Sequence, residues 1–313
     1  MKYILKKVGI FLLTLLGISV LVFIAFQIVP GDPTARLLGT QATPERVDAL
    51  REQLGLNDPA VLRYFRWLTD FLRGDFGGSY TYAMPVSALI SGKIAVTAAL
   101  SGLSFLMVLA MSIPIGVLRA RFAHSIPDRI SMVFNQIIMS IPQFFIGIIF
   151  TYVFGLVLRL FTPGDFVQYA VDPVAFWAYM VFPALAIAMP KSAMVVKLLR
   201  SSMIKEMSED YVRTAYSRGN SRWQVLSRHV MRNAIIPVVT LLAVTLVDII
   251  AGSIIIEQVF AIPGLGRLLL TSVIGRDLPV VQTIIMLISV AVISVNYLAD
   301  ISYKYIDPRI RFR

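Results

Sequence analysis

Long runs of apolar residues dominate the hydrophobic pattern of the chain. Six stretches contain at most one charged residue each, and they cover residues 8–29, 94–118, 130–158, 173–190, 233–256 and 278–298. A helix that crosses a bilayer needs about 20 mostly apolar residues, and only 173–190 falls short of that length. The pattern therefore predicts an all-α membrane protein with six transmembrane helices.

The composition agrees with a membrane protein. Hydrophobic residues make up 57% of the 313 residues and charged residues 15%, with a mean hydropathy of +0.77. Soluble domains carry about 25% charged residues. Because the chain has no cysteine, it cannot form a disulfide, a thiolate metal site or a cysteine nucleophile.

The positive charges are distributed unevenly between the two sides of the predicted spans. If the N-terminus is cytoplasmic, 19 of the 29 Lys and Arg residues fall in cytoplasmic segments and three in the short outer loops. The other seven lie in the long first loop, together with seven acids. Since Lys and Arg in short loops set orientation, we expect both the N- and C-termini in the cytoplasm. The net charge of +11 then reflects topology and does not indicate nucleic-acid binding.

Spans and loops divide the chain into three predicted parts. Residues 1–29 form the cytoplasmic N-terminus and the first span, 30–93 form an extracytoplasmic loop, and 94–313 form a core of five helices that includes the cytoplasmic loop 191–232. These boundaries follow the hydrophobic runs and the long polar stretches between them.

The outer loop has the sequence signals of short amphipathic helices. One helix is expected between Pro44 and Gly55 and another between Pro59 and Gly74, because proline favours the first turn and glycine the end of a helix. The second helix carries one apolar face, formed by Val61, Leu62, Phe65, Leu68 and Leu72. Two interpretations remain open: a structural cover over the spans, or a docking face for an external partner.

The inner loop contains a short helix between two breaks. The fourth span is expected to continue as a helix through 191–207, after which Ser208 caps a helix over 209–218 and Gly219 ends it. Such a helix suits a rigid element that a motor protein holds in order to move the attached spans. A basic surface loop that anchors to anionic lipid is the alternative.

Proline and charge inside the spans mark candidate positions along a transport path. Pro142 in the third span and Pro183 in the fourth remove helix hydrogen bonds and can kink the helices. Asp248 is the one charged residue in the fifth span. It could line a solute path, pair with a polar group of a neighbouring span or subunit, or be a protonated hydrogen-bonding group. Glu257, at the outer end of that span, is expected to reach water.

Motifs for enzyme chemistry are absent from the sequence. No Gly-rich Walker A motif is present, and no nucleophile elbow occurs. His124 and His229 are the only histidines and lack the spacing of a zinc site. The sequence therefore predicts a protein that is not an enzyme and holds neither ATP nor a metal.

Five blocks of sequence, in a fixed order, provide a family resemblance. They are 28–33 (Ile-Val-Pro-Gly-Asp-Pro); 54–59 (Leu-Gly-Leu-Asn-Asp-Pro) with 74–79 (Gly-Asp-Phe-Gly-Gly-Ser); 210–215 (Asp-Tyr-Val-Arg-Thr-Ala) with 228–237; 257–267 with 276–279 (Arg-Asp-Leu-Pro); and 307–311 (Asp-Pro-Arg-Ile-Arg). Together they resemble the dipeptide/oligopeptide/nickel class of binding-protein-dependent ABC importer permeases, along nearly the whole chain.

The resemblance implies a six-span permease of the type I ABC importer architecture in the bacterial inner membrane. A second, homologous permease subunit would complete the translocation path. Two ATP-binding subunits would hold ATP and Mg, and an extracytoplasmic solute-binding protein would deliver the cargo. No cofactor is implied on this chain.

The resemblance also implies that the inner loop couples the permease to an ATPase subunit. The positions that match the coupling helix of the family are Glu209, Asp210, Tyr211, Val212, Arg213, Thr214, Ala215 and Gly219. Many importer permeases carry Glu-Ala where Arg213 and Thr214 stand, and the peptide-type loop looks like the one in this sequence. Asp248 matches no family motif, and Asp248 and Pro142 remain possible pathway residues.

The expected function is ATP-driven import of peptides or related small solutes, with di- or oligopeptides, glutathione, nickel and metal–chelate complexes all within the class. The first alternative is a secondary transporter or channel that works without ATPases, for which inverted repeats or several intramembrane charges would be expected. The second is a scaffold or sensor, which needs no coupling helix. The lack of a His, Cys or carboxylate cluster favours an organic or chelated cargo over a bare metal.

Overall fold

A computed structural model describes residues 2–28, 43–53 and 55–306 of the chain. Within those ranges the chain forms helices and loops, with one isolated β-bridge between Gly78 and Pro85 and no strand. The α-helices are α1 (Lys2–Ile28), α2 (Pro44–Gln53), α3 (Ala60–Leu72), α4 (Val86–Ile90), α5 (Lys93–Arg121), α6 (Ile126–Ser140), α7 (Gln143–Phe150), α8 (Pro173–Glu206), α9 (Asp210–Ser217), α10 (Arg222–Gln224), α11 (Met231–Val259), α12 (Leu265–Ile274) and α13 (Leu278–Ile306).

Two π-helical segments extend this set. Thr151–Val157 continues α7, and Val225–Val230 joins α10 to α11, so that Arg222–Val259 is one continuous helix. The family-like blocks at 28–33 and 307–311 lie largely or wholly outside the described residues, as does Leu54. The predicted boundaries at residues 29 and 93 stay predictions.

Among the described residues, five helices are long and apolar enough to cross a membrane, and they correspond to five of the six predicted runs. The exception is the run 130–158, in which α6 and the α7 segment meet at an angle of 96°. The two halves count as one broken span or as a re-entrant loop, which gives five or six spans. The all-α membrane fold is confirmed.

The break lies at Pro142, where the sequence predicts a kink. Ile141 has φ −89° and ψ 124°, and Pro142 has φ −60° and ψ 140°. A residue before proline is pushed out of the helical region, and proline has no N–H to continue the ladder. In contrast, α8 continues without interruption through Pro183 and Pro190.

The chain divides into two compact units, of which the larger comprises residues 96–263 and 295–313. Its central element is α8, which packs against α6, α7 and α11. Along α8 the residues Met180, Ala184, Ile187, Val195 and Leu199 are completely buried. Burial of so much of one helix explains why its hydrophobic run has no polar face.

The smaller unit comprises residues 1–95 and 264–294. Its core joins α4, α12 and α13 through buried Val86, Ile90, Leu265, Leu268, Val280 and Ile284. In the same unit, the Tyr64 hydroxyl lies 2.8 Å from the Ser19 hydroxyl, and Phe23 contacts both Tyr64 and Trp67. These contacts hold α3 against α1.

Both predicted helices of the first loop are present. α2 begins at Pro44, and Gly55 follows it with φ +63°; α3 ends before Gly74, which has φ +82°. The predicted apolar face of α3 remains largely exposed, and the neighbouring aromatic face contacts α1 instead. The choice between a structural cover and a docking face stays open.

Candidate functional site

The predicted short helix of the inner loop forms α9, between the end of α8 and the start of the α10–α11 helix. Val212 and Ala215 point into the core of the larger unit and are buried, and α9 packs there on the π-helical segment Val225–Val230. The opposite face is open, with the side chains of Asp210 and Arg213 97% and 82% exposed. The helix is therefore fixed on one side and free on the other.

The ends of α9 have defined geometry, but the predicted cap at its start is wrong. The Ser208 hydroxyl donates to the Lys205 carbonyl oxygen at 2.6 Å and caps nothing in α9, whose N-cap position is Glu209. Gly219 ends the helix with φ +82°: its N–H donates to the Tyr216 carbonyl, and the Asn220 N–H to that of Ala215. These two bonds form a Schellman motif, and Gly219 ends the helix as predicted.

Tyr211 connects α9 to both long helices beside it. Its hydroxyl donates to Glu206 Oε2 of α8 at 2.7 Å and also interacts with the side chain of Asn233 in α11. Burial and the nearby Glu206 carboxylate raise the pKa of Tyr211 to about 12. The hydroxyl therefore stays protonated at neutral pH, and displacement of α9 would strain contacts with α8 and α11 together.

Asp248 of α11 forms an ion pair inside the apolar part of the larger unit. Lys191 Nζ lies 2.8 Å from Asp248 Oδ2, and the two side chains remain 22% and 50% exposed. Of the three predicted interpretations, the structure shows the second: Asp248 pairs with Lys191, on a neighbouring span of the same chain. Pairing does not exclude a place on a solute path, because half of the Asp248 side chain is open.

The Pro142 break lies against the same helix. Gln143 Nε2 donates to the Gly252 carbonyl of α11 at 3.1 Å. Gln143 Oε1 is buried and accepts no hydrogen bond from the residues that the structure describes. A Cβ on Gly252 would lie 2.2 Å from Gln143 Nε2, so a larger residue at this crossing would displace the end of the Gln143 side chain. Gly252 is one turn from Asp248, which places the break and the ion pair side by side.

Glu257 does not reach water, which corrects the sequence-based expectation. It is completely buried near the C-terminal end of α11, and the Thr97 hydroxyl of α5 donates to its Oε1 at 2.6 Å. A carboxylate at this depth needs such donors, because burial of an unpaired charge is costly. The sequence could not show this, since Thr97 lies 160 positions away.

Sequence reasoning also missed a buried ion cluster at the ends of α5, α6 and α8. Asp128 is completely buried and is bound by two atoms of the Arg200 guanidinium, with Nε–Oδ1 at 2.9 Å. Arg119 Nε lies 3.6 Å from the same carboxylate. Asp128 stands three residues after the helix cap Ser125, where an acid normally indicates an exposed first turn.

In the smaller unit, two of the family-like blocks meet at Asp277. Its buried carboxylate accepts hydrogen bonds from the Ser79 hydroxyl, from Tyr80 N–H at 3.0 Å and from Thr81 N–H at 3.1 Å. Burial, and secondarily the Asp277 charge, raise the pKa of Tyr80. The contact fastens the end of the first loop to the turn before α13.

Metal-binding geometry is not found in the part of the chain that the structure describes, where no group of three His, Asp or Glu residues converges. The candidate site thus consists of three features: α9, the Lys191–Asp248 pair and the Pro142 break. At about 1.5 Å per residue, the 15 residues from Asn233 to Asp248 place α9 roughly 22 Å from the ion pair.

Comparison with known sequences identifies the family. Residues 112–312 match the family of binding-protein-dependent transport system inner membrane components, and residues 1–101 match the N-terminal family of the same membrane components. The chain belongs to this permease family. It is a permease component of a binding-protein-dependent ABC importer, and therefore a transport subunit and not an enzyme. Systems of this family work with an ATPase and a binding protein.

Relatives match along the whole permease. A probable peptide ABC transporter permease protein of Sinorhizobium fredii is 33% identical over 310 residues, with 99% of each chain covered. A putative peptide transport system permease protein of Brucella abortus is 35% identical over 309 residues, covering 99% of this chain and 98% of that one. The glutathione transport system permease protein of Salmonella paratyphi A is 34% identical, with both chains fully covered.

A solved structure has the same fold. The inward facing MetNI methionine ABC transporter matches with a TM-score of 0.55 over 70% of this chain and 96% of the other, at 19% identity. The likeness confirms the architecture of an ABC importer permease. The comparisons give no support to the secondary transporter or channel.

Proposed function

We propose that this permease carries peptides or glutathione-like peptides across the bacterial inner membrane. The proposal rests on the full-length similarity to permeases named for peptide and glutathione transport. The expected orientation, with both termini in the cytoplasm, follows from the excess of Lys and Arg in the inner segments.

The complete transporter would contain this permease, a second homologous permease, two ATP-binding subunits and an extracytoplasmic solute-binding protein. ATP and Mg would be held by the ATP-binding subunits. The described part of this permease has five unbroken candidate spans and one broken pair of helices, and a second permease would complete the translocation path.

We propose that α9 is the coupling helix, with Glu209, Asp210, Tyr211, Val212, Arg213, Thr214, Ala215 and Gly219 as the coupling positions. The observation that supports this role is that α9 is fixed on both neighbouring long helices through Tyr211 while its outer face stays open. An ATPase subunit that binds the outer face and moves would transmit that motion to α8 and α11 together.

Asp248 and Pro142 would line the translocation path. The break at Pro142 frees backbone groups that need protein or water partners, and such breaks are tolerated where they border protein or a water-filled cavity. The carboxylate of Asp248 is half exposed in the single subunit and would be costly against lipid.

The test of this function is purification of the tagged permease from native membranes, with mass spectrometry of the proteins that accompany it. Recovery of a second permease and of P-loop ATPases is expected. The reconstituted complex should hydrolyse ATP faster when its peptide-loaded binding protein is added. A homo-oligomer free of ATPases would contradict the proposal.

A further inference from the structure

The exposed face of α11 differs from that of a lipid-facing helix. From Asn233 onwards, its exposed positions follow each other every three or four residues and form one stripe, consisting of Asn233, Pro237, Thr240, Val244, Asp248, Ala251, Ile255 and Gln258. Half of these positions carry polar side chains. A helix that faces hydrocarbon would present an apolar surface there.

The exposed face of α5 provides the contrast within the same unit. Its exposed positions between 98 and 118 are Ala98, Gly102, Leu106, Ala110, Pro114, Ile115 and Leu118, with no polar side chain among them. The polar residues of α5, such as Ser104 and Ser112, are buried instead. The α5 face therefore suits lipid, and the α11 stripe suits water, a solute or a polar partner.

The Lys191–Asp248 pair lies deep in the span. The Tyr179 hydroxyl of α8 donates to the Phe260 carbonyl at the end of α11, which places these two residues at one level. Lys191 and Asp248 are each 12 residues from that level, or about 18 Å at 1.5 Å per residue. Both residues also lie well inside helices long enough to cross a membrane, Lys191 15 residues before the end of α8 and Asp248 17 residues after the start of α11. Lys191 therefore belongs to the fourth span and not to the cytoplasmic loop 191–232 in which the sequence pattern placed it.

An exposed ion pair at this depth has a specific electrostatic property. When no solute is bound, the two charges neutralise each other across the 2.8 Å contact, so the site has no net charge. A lone cation or anion would bind one partner and leave the other unpaired in a poorly solvated place, which is costly. A solute with both an ammonium and a carboxylate group satisfies both partners together.

We propose that Lys191 and Asp248 form a two-point binding site for zwitterionic solutes in the translocation path. The ammonium group of the solute would bind Asp248, and the carboxylate of the solute would bind Lys191. The direct contact between Lys191 and Asp248 would then be broken. The inference rests on the proposed function and adds the charge type of the solute and the two residues that select it.

The first test measures uptake by the reconstituted complex, with trialanine, N-acetyl-trialanine and trialanine amide as probes. Each variant is compared with the wild type for the same peptide, so that the preference of the binding protein cancels. Asp248→Asn should lower uptake of trialanine about tenfold, since a charge-assisted hydrogen bond is lost, and should not lower uptake of the N-acetyl peptide, which has no ammonium group for Asp248 to bind. Lys191→Met should show the crossed pattern: uptake of trialanine falls, whereas uptake of trialanine amide does not.

Equal losses for all three peptides would overturn the proposal and leave the pair a structural contact. Asp165→Asn, which neutralises an exposed acid in the outer loop, is the matched control and should change nothing. Failure of the proposed function looks different, because the wild-type complex would then show no ATPase stimulation by the loaded binding protein.

The second test uses the absence of cysteine from the chain and needs no cargo. Val244→Cys, one turn from Asp248, should react with small water-soluble methanethiosulfonates, whereas Leu106→Cys on the α5 face should not, although Val244 and Leu106 are 51% and 62% exposed. When Asp248→Asn is added to Val244→Cys, the thiol should react several-fold faster with an anionic methanethiosulfonate than with a cationic one. When Lys191→Met is added instead, the cationic reagent should react faster. A Val244→Cys thiol as unreactive as that of Leu106→Cys would overturn the proposal.

Discussion

At the residue scale, the acids of this permease show where charge is held inside the protein. Asp128, Glu257 and Asp277 are all buried, and each is surrounded by donors from other elements. Their local sequence indicates exposed helix ends and turns. Arg200, Thr97 and Ser79, which donate to these carboxylates, lie between 72 and 198 positions away from them, so the sequence pattern could not reveal the burial.

The Asp277 carboxylate should be important for holding the first loop. Asp277→Asn replaces one acceptor oxygen with an NH2 group that faces N–H donors, and we expect a loss of about 2 kcal/mol in local stability. Limited proteolysis of the purified permease should then cleave the segment near residues 79–85 faster. Asp165→Asn should leave the cleavage rate unchanged, and an unchanged rate in Asp277→Asn would contradict this role.

Tyr211→Phe should weaken coupling without preventing assembly. The ring keeps its packing, but the hydroxyl no longer connects α9 to Glu206, at a cost of about 1 kcal/mol. We expect binding-protein-stimulated ATP hydrolysis to fall several-fold. Tyr169→Phe, in an exposed outer-loop residue, is the control, and equal activity of both variants would contradict the role of Tyr211.

The pH dependence of that contact follows from the raised pKa. The pKa of Tyr211 is about 12 in the fold against an ordinary value of 10, so the fold favours the protonated hydroxyl. The stabilisation is complete below pH 10 and is lost as the pH rises towards 12. The rate of stimulated ATP hydrolysis in Tyr211→Phe, divided by the wild-type rate, should therefore be constant from pH 7 to 9.

At the element scale, the sequence predicts the helices well because each long apolar run has length enough to cross a bilayer. Five runs became single helices, and the sixth broke where Pro142 forces an extended backbone. The apolar run itself does not specify the size of that bend, 96°, nor the hydrogen bond from Gln143 to Gly252 that holds the break against α11. The predicted helix in the inner loop is also present, although its cap differs.

Gly219→Ala should change the direction in which the chain leaves α9. The added Cβ meets no atom within 4 Å, but the residue has φ +82°, so the cost of about 1 kcal/mol comes from the backbone alone. We expect lower coupled ATP hydrolysis in the reconstituted complex. Gly102→Ala, which also meets no atom and has no positive φ, should have no effect. Equal effects of the two substitutions would contradict the claim that coupling depends on the backbone conformation at the end of α9.

At the scale of the whole molecule, the permease combines an ABC importer fold with two features that the sequence marks in advance: the isolated helix of the inner loop and the charge in the fifth span. The Lys191 partner of that charge could not be chosen from the sequence, because nine Lys and Arg residues lie between 191 and 232. Only the packing of α8 on α11 selects it.

The central claim is that the outer face of α9 binds an ATPase subunit. The most direct test places a single cysteine at Thr214, on that exposed face, in this cysteine-free chain and attaches a photoreactive maleimide in native membranes. Illumination should link the permease to a P-loop ATPase in a yield that changes when ATP is added. Labelling of lipid or bulk protein only, with Thr214→Cys no better than a cysteine at Asp165, would contradict the account.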